Sequence, residues 1–302
     1  MKTKLPNFLI VGAAKSGTTS LYHYLNQHPE VYMSPIKEPR FITAQFVKYP
    51  LRLKKEKCVI EDFEEYKKLF KHVKNEKAIG EASVDNLYYY EESIKFIKKY
   101  LRDVKVIIIL RNPIESAFSN YQMLVRNRGE HLSFEDALNA EDERKKLHMI
   151  YGCGWHYKSL GFYYKQVKAY LENFSQVKVY LYDDLKNDTL GLIKDMYEFL
   201  EVDASYEPDL SYKYNVGGIP KNKFIYNILF VKSKLLKGFM EKVSKIFLLE
   251  EKIYKLAEDL KARYLTKQQM KPETRDYLKN LYREDILKLQ DLIKRDLSHW
   301  LR

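Results

Sequence analysis

The chain has 302 residues, 45% of them hydrophobic, and a formal net charge of +12. That is ample for a core, leaves no stretch with the composition of disorder, and favours an anionic partner: a polyanionic or phosphorylated ligand, a nucleic acid or an anionic membrane. Its two cysteines, Cys58 and Cys153, lack C-x-x-C spacing, which excludes a cysteine-built zinc site and a disulfide framework and suits a reducing cytoplasm.

The branched apolar run Phe8–Val11 reads as a buried strand, too short for a signal peptide and followed at once by Lys15. It ends at Gly12, and Thr18-Thr19-Ser20 opens a helix through Leu21–Leu25. Strand, glycine-bearing loop and helix N-terminus together make an anion cradle. Pro29 stops the helix, and a loop through Met33–Phe41 is stiffened by Pro35 and Pro39. A charged stretch over residues 48–77 holds a surface helix at Phe63–Phe70. A strand over Ala78–Ser83 and a helix over Glu91–Leu101 follow.

Val104–Leu110 is almost uniformly β-branched, as a central parallel strand should be. It ends at Arg111-Asn112-Pro113, with Pro113 in the first turn of a helix carrying Ala117, Ser119 and Tyr121. Ser133-Phe-Glu-Asp136 resembles a capping box and starts another helix. A helix over 160–173, a strand over Val177–Leu181 and a helix over 188–200 complete the alternation. The expected fold is therefore α/β, a P-loop-like central parallel sheet flanked by helices, in a single domain over residues 1–302. Residues 222–302 form a mostly helical C-terminal part, in which Pro272 opens a helix over Glu273–Lys294 and the chain runs on to Trp300. The basic tract 223–267 reads as a core-facing amphipathic helix; the competing reading is a peripheral membrane contact. No segment approaches the ~20 apolar residues of a membrane span.

Gly12-Ala-Ala-Lys15-Ser16-Gly17-Thr18-Thr19 has the glycine spacing of a Walker A loop but not its lysine, because Thr18 stands in that place and Lys15 comes earlier. No aspartate ends the best strand, so ATP hydrolysis is the weaker reading. The loop resembles the 5′-phosphosulfate loop of sulfotransferases that use 3′-phosphoadenosine 5′-phosphosulfate (PAPS). The resemblance continues at Lys37-Glu38-Pro39-Arg40-Phe41, at Leu110–Tyr121, from Tyr214-Asn215 to Pro220-Lys221, and at Leu278–Trp300. It is nearest to the branch holding the heparan-sulfate-type and many bacterial enzymes.

The resemblance implies that Lys15, Ser16, Gly17, Thr18, Thr19 and Ser20 wrap the phosphosulfate, with Lys15 neutralising charge on the bridging oxygen as sulfur leaves. It implies that Arg111 and Ser119 hold the 3′-phosphate, that Lys221 reaches the same group, and that Glu38 is the general base. PAP is then the product, and no metal is required. The bland alternatives are a turn lysine, an Arg111 paired with Glu115 or Asp103, a Ser119 bonded to its own helix, and a Glu38 paired with Lys37 or Arg40. Two departures leave acceptor activation open: Arg40 stands where relatives often have histidine, and Ala82 where they have lysine. Glu81 and Asp85 are the reserve bases.

The expected activity is sulfuryl transfer to a hydroxyl, or less favoured an amine, by in-line displacement in a bacterial, cytoplasmic enzyme. The acceptor is a carbohydrate by resemblance, with sterols, lipids and other small hydroxylated metabolites behind it. Rival classes are a P-loop kinase or NTPase and a non-catalytic polyanion binder. A nucleic-acid partner is not expected, since no basic-aromatic repeat or recognisable motif is present. The sequence does not fix the oligomeric state.

Overall fold

A computed structural model describes residues 4–49, 59–127, 129–146, 154–211, 218–220, 265–266 and 268–302. Five parallel strands form the sheet: β1 (Phe8–Gly12), β2 (Val31–Met33), β3 (Ala78–Ala82), β4 (Lys105–Leu110) and β5 (Val177–Leu181). Their spatial order is β2-β3-β1-β4-β5. From β1 the chain goes first to one side, through helix α1 (Thr18–Leu25), and then after β3 crosses to β4 on the other. The reversal opens a crevice at the carboxyl ends of β1 and β4, where sheets of this kind bind ligands.

Alternation within the strands assigns the two faces. Leu9, Val11, Ile79, Val106, Ile108 and Leu110 enter one apolar cluster; Phe8, Ile10, Ala78, Ala82, Ile107 and Ile109 enter the other. Strand β1, and β4 beyond Lys105, are buried on both sides and for that reason read as unbroken apolar runs.

Helices α2 (Phe41–Ala44), α3 (Phe63–Lys68), α4 (Asp85–Tyr88), α5 (Tyr90–Tyr100), α6 (Pro113–Arg126), α7 (Phe134–Asn139), α8 (Glu141–Lys146) and α9 (Tyr163–Asn173) follow in order. After β5 come α10 (Tyr182–Asn187) and α11 (Thr189–Leu200), and later α12 (Pro272–Ile293). A short antiparallel pair joins β6 (Ile219–Pro220) to β7 (Leu265–Thr266). The first cluster draws on α5, α6, α9 and α12, and the second on α1 and α11.

Caps fix several helix starts. The Asn112 side chain accepts from Ile114 N, with Pro113 at the first helical position, and Ser133 accepts from Asp136 N as its spacing predicts. On α12, Leu278, Tyr282, Ile286 and Leu289 recur at helical spacing and are buried, and the helix packs against α9 and α6. Several elements go beyond the sequence reading, α10 and the β6–β7 pair among them. Strand β2 occupies what reads as the start of a loop, because Val31 and Met33 point into the core while the strand is only three residues long. Helices α2 and α4 are single turns with no periodicity to detect. Most of the tract 223–267, and the loop residue Gly217, lie outside the described residues.

At Gly80 the sheet leaves no room for a side chain, since an added Cβ would lie 2.1 Å from the ring of Phe8 on the adjacent strand. Gly80→Ala should cost about 1–3 kcal/mol of stability through overpacking. Denaturant unfolding checks this, and a partial recovery in Gly80→Ala with Phe8→Leu would identify that ring as the cause.

Candidate active site

The loop after β1 is pinned to the end of β4. Ala13 N donates to Ile109 O at 2.7 Å, Ser116 Oγ donates to Ala14 O at 2.9 Å, and an Arg111 guanidinium N–H donates to Lys15 O at 3.2 Å. Carbonyls that would repel an anion are thus engaged by protein donors. Gly17 caps α1 with φ of 94°, and a Cβ there would meet Leu185 at 2.6 Å and the Tyr182 ring at 3.1 Å. Both the backbone and the neighbours require glycine.

Among the described residues, six non-glycine residues have positive φ. Arg102, Glu201 and Lys294 follow helices, where a left-handed residue is ordinary. Lys15 (φ 63°), Glu38 (φ 60°) and Arg40 (φ 53°) instead lie in the two predicted site loops. Such conformations cost on the order of 1–3 kcal/mol each and gather where geometry serves a ligand.

Lys15 Nζ lies 3.4 Å from Met123 Sδ, a weak acceptor. Burial, then the positive charges of Arg126 and Arg111, bring its pKa down from 10.5 to about 8; Glu38 pulls the other way. Lys15 and Glu38 therefore share one electrostatic site. Ser16 is turned inward, its Oγ 3.4 Å from Ala14 O and its side chain buried beside Tyr163. Thr18 is buried, while Thr19 and Ser20 are half-buried in the first turn of α1.

Arg111 leaves the end of β4 with its guanidinium carbon 4.9 Å from the centre of the Tyr182 ring, a cation–π contact. It also faces Glu115 at 4.0 Å, so one of the bland partners is present, while Asp103 bonds Ser175 instead. Ser119 lies between Ser116 and Met123, both of which touch the phosphate loop. The spacing of 116, 119, 123 and 126 puts all four on one stripe of α6 facing that loop.

Glu38 hangs from the end of β3, its N–H donating to Ala82 O at 2.9 Å. Lys37 Nζ reaches Glu38 Oε1 at 2.6 Å and Arg40 reaches Oε2 at 2.7 Å, and the side chain is 22% exposed. Burial pushes its carboxyl up, but Lys37 and Arg40 outweigh that and hold it at about 2. Arg40 also binds Asp85 at 3.1 Å, to which the Tyr49 hydroxyl donates at 2.8 Å. Glu81 is buried; Tyr66 donates to one oxygen at 3.0 Å while the other has no partner, and burial raises its carboxyl to about 7.

Of the predicted residues, Arg111 bonds the Lys15 loop, Glu38 is electrostatically linked to Lys15, Ser119 shares the α6 stripe with Ser116, and Lys221 lies outside the described residues. The strand that ends one residue before it, β6, packs against α6. Sequence reasoning missed Ser116, Arg126, Tyr163 and Tyr182. The α6 stripe was a usable signal for Ser116 and Arg126; Tyr163 and Tyr182 have none, because only the strand order brings them in.

The profile described as "Sulfotransferase family" matches residues 6–207. The solved structure of a sulfotransferase from Alicyclobacillus acidocaldarius superposes with a TM-score of 0.75 at 33% identity, covering 99% of this chain and 100% of that one. Membrane-associated sulfotransferase kil1 of Dictyostelium discoideum is 30% identical over 143 residues, 45% of this chain and 28% of that protein. Carbohydrate sulfotransferase 15 of Mus musculus is 30% identical over 151 residues, 39% of this chain and 27% of that protein. The chain thus aligns with little more than a quarter of the length of these two relatives. No helix among the described residues is long and apolar enough to cross a membrane.

Because Lys15 titrates near 8, an anion beside it should raise its pKa and draw in a proton at pH 8–10. Calorimetry with pyrophosphate at pH 9, in buffers of different ionisation enthalpy, should show proton uptake that Lys15→Met removes. Below pH 7 the lysine is already charged, and uptake from this group should vanish.

Proposed function

The chain belongs to the sulfotransferase family, its matched segment spanning residues 6–207, and we propose that it transfers a sulfuryl group from PAPS to an acceptor hydroxyl. What supports this reading is a pair of donor-bearing positions at the carboxyl ends of β1 and β4. One is the Lys15 loop, and the other is Arg111 with Ser119 on the helix that pins that loop. A nucleotide with both a 5′-phosphosulfate and a 3′-phosphate fits two such positions. ATP, lacking a 3′-phosphate, fits them less well.

The donor set suits PAPS on the structure's own chemistry, since three cations converge where burial already penalises the Lys15 charge. Bound PAPS supplies the sulfuryl group. The loop 15–20 would hold the phosphosulfate through N–H groups and hydroxyls, and Lys15 would sit beside the oxygen on which charge grows. Arg111 would grip the 3′-phosphate from a guanidinium steadied by Tyr182, with Ser119 adding a hydroxyl. Positioning and charge matching supply most of the rate in such in-line transfers.

Glu38 is the carboxylate we assign as base. Its pairs with Lys37 and Arg40 keep it ionised and also oppose proton uptake, so the acceptor hydroxyl must replace at least one of them. We place carbohydrate first among acceptors, a choice supported by the likeness to carbohydrate sulfotransferase 15 of Mus musculus. Sterols, lipids and small hydroxylated metabolites come second.

Sulfur-labelled PAPS offered with pooled glycans, sterols and lipids tests the proposal, and label should appear in the glycan pool. Lys15→Ala should lower turnover by roughly 10²–10³-fold. Glu38→Gln should lower it by roughly 10²–10⁴-fold while changing PAP affinity by less than about twofold. Full activity of Glu38→Gln would move the base elsewhere. Equal affinity of the wild-type protein for PAP and ATP would favour the kinase reading.

A further inference from the structure

A carboxylate stands beside the arginine assigned to the 3′-phosphate. Glu115, in the first turn of α6, has Oε2 4.0 Å from Arg111. Its other oxygen, Oε1, takes a hydrogen bond from Arg275, in the first turn of α12. The two carboxylate oxygens thus face two guanidinium groups, one at hydrogen-bond contact and one held off. Glu115 and Arg275 are both a little over one-third exposed, so water and ligand can reach the pair.

The asymmetry has a direct electrostatic consequence. A phosphate and a carboxylate seek the same face of a guanidinium fork. At 4.0 Å Glu115 is roughly an ångström outside charge-assisted hydrogen-bond range of Arg111. Arg111 is otherwise steadied by Lys15 O and by the Tyr182 ring, neither of which competes for anions.

Arg275 is poorly explained as a scaffold residue. The start of α12 is fixed independently, since Thr274 Oγ1 donates to Glu135 Oε1 at 2.6 Å and Lys271 Nζ reaches Oε2 at 3.1 Å. The body of the helix is held by buried Leu278, Tyr282, Ile286 and Leu289.

We propose that Arg275 is a positioning residue for nucleotide selection: it occupies Glu115 and so keeps Arg111 available to a 3′-phosphate. Without Arg275, Glu115 closes on Arg111, and a phosphate must break that pair in order to bind. A nucleotide without a 3′-phosphate does not use this face of Arg111 and is unaffected. The inference rests on reading the crevice as a PAPS site.

Calorimetry with PAP and with adenosine 5′-phosphate, on the wild type, Arg275→Met, Glu115→Gln and the double variant, tests it. Arg275→Met should weaken PAP roughly tenfold, the lower end of what a hydrogen bond to a charged group is worth, and leave adenosine 5′-phosphate unchanged. Adding Glu115→Gln should return PAP affinity to within about twofold of wild type, the rescue that marks direct coupling of the two residues. Glu115→Gln alone should bind PAP at least as tightly as wild type. Equal weakening of both nucleotides, a double variant no tighter than Arg275→Met, or weaker binding in Glu115→Gln would each overturn the proposal. A wild-type protein with no preference for PAP over adenosine 5′-phosphate would remove the donor reading itself, and this inference with it.

Discussion

The site depends on the seam between β1 and β4. Those strands are neighbours in space but separated in sequence by β2 and β3, and β4 runs two residues past Ile108, the partner of Gly12 at the end of β1. Three hydrogen bonds cross the seam: Ala13 N donates to Ile109 O, while Ser116 and Arg111 donate to Ala14 O and Lys15 O. They couple the phosphate loop to the arginine and the helix that face it, so a ligand touching one is presented to the other. Buried branched residues on both faces of β1 and β4 keep the seam rigid. The strained backbone at Lys15 can persist because these contacts over-determine it.

Charge is distributed unevenly around that seam. On the β4 side, Arg126 and Arg111 add to burial in lowering the preference of Lys15 for the protonated state, with Glu115 shared between Arg111 and Arg275. On the β3 side, Glu38 and Asp85 are matched by Lys37 and Arg40. The proposed dianionic or trianionic donor is thus matched by the charge of the first side, and the proposed uncharged hydroxyl by the neutralised second side. The fold keeps the two sides apart by hanging the Glu38 loop on β3 and the arginines on β4 and α6.

Much of this was legible from residues alone, for physical reasons. Val104–Leu110 announced itself because a strand buried on both faces cannot alternate, and Arg111 at its end then had a ligand-facing place. The Lys15 loop was visible because glycine and hydroxyl residues follow a strand without a Walker lysine. The competing reading of Glu38 as a paired loop residue was also legible, and both pairs exist. What escaped had no local signature. Strand β2 is three residues long, and Tyr182 and Tyr163 reach Arg111 and Ser16 only because β5 and α9 flank β4 in space. Gly17 shows the same limit, because its partners Leu185 and Tyr182 lie far along the chain.

The two glutamates near the end of β3 divide cleanly by environment, which helps to choose between them as base. Glu81, raised to about 7 by burial, has the proton affinity expected of a base at neutral pH. It is nevertheless fully buried on the core face of β3, with Tyr66 donating to it and the apolar cluster around it. A hydroxyl acceptor cannot reach that oxygen without opening the core. Glu38 has the opposite balance: low proton affinity, but a 22% exposed side chain and an electrostatic link to Lys15. Geometry comes before pKa in assigning a base. Moreover, the Glu38 value is set by two cations whose contacts an incoming acceptor can exchange, whereas Glu81 owes its value to a core that does not move. The accessible carboxylate is therefore the base we propose, and under that reading its low pKa describes a clamp for the acceptor to loosen.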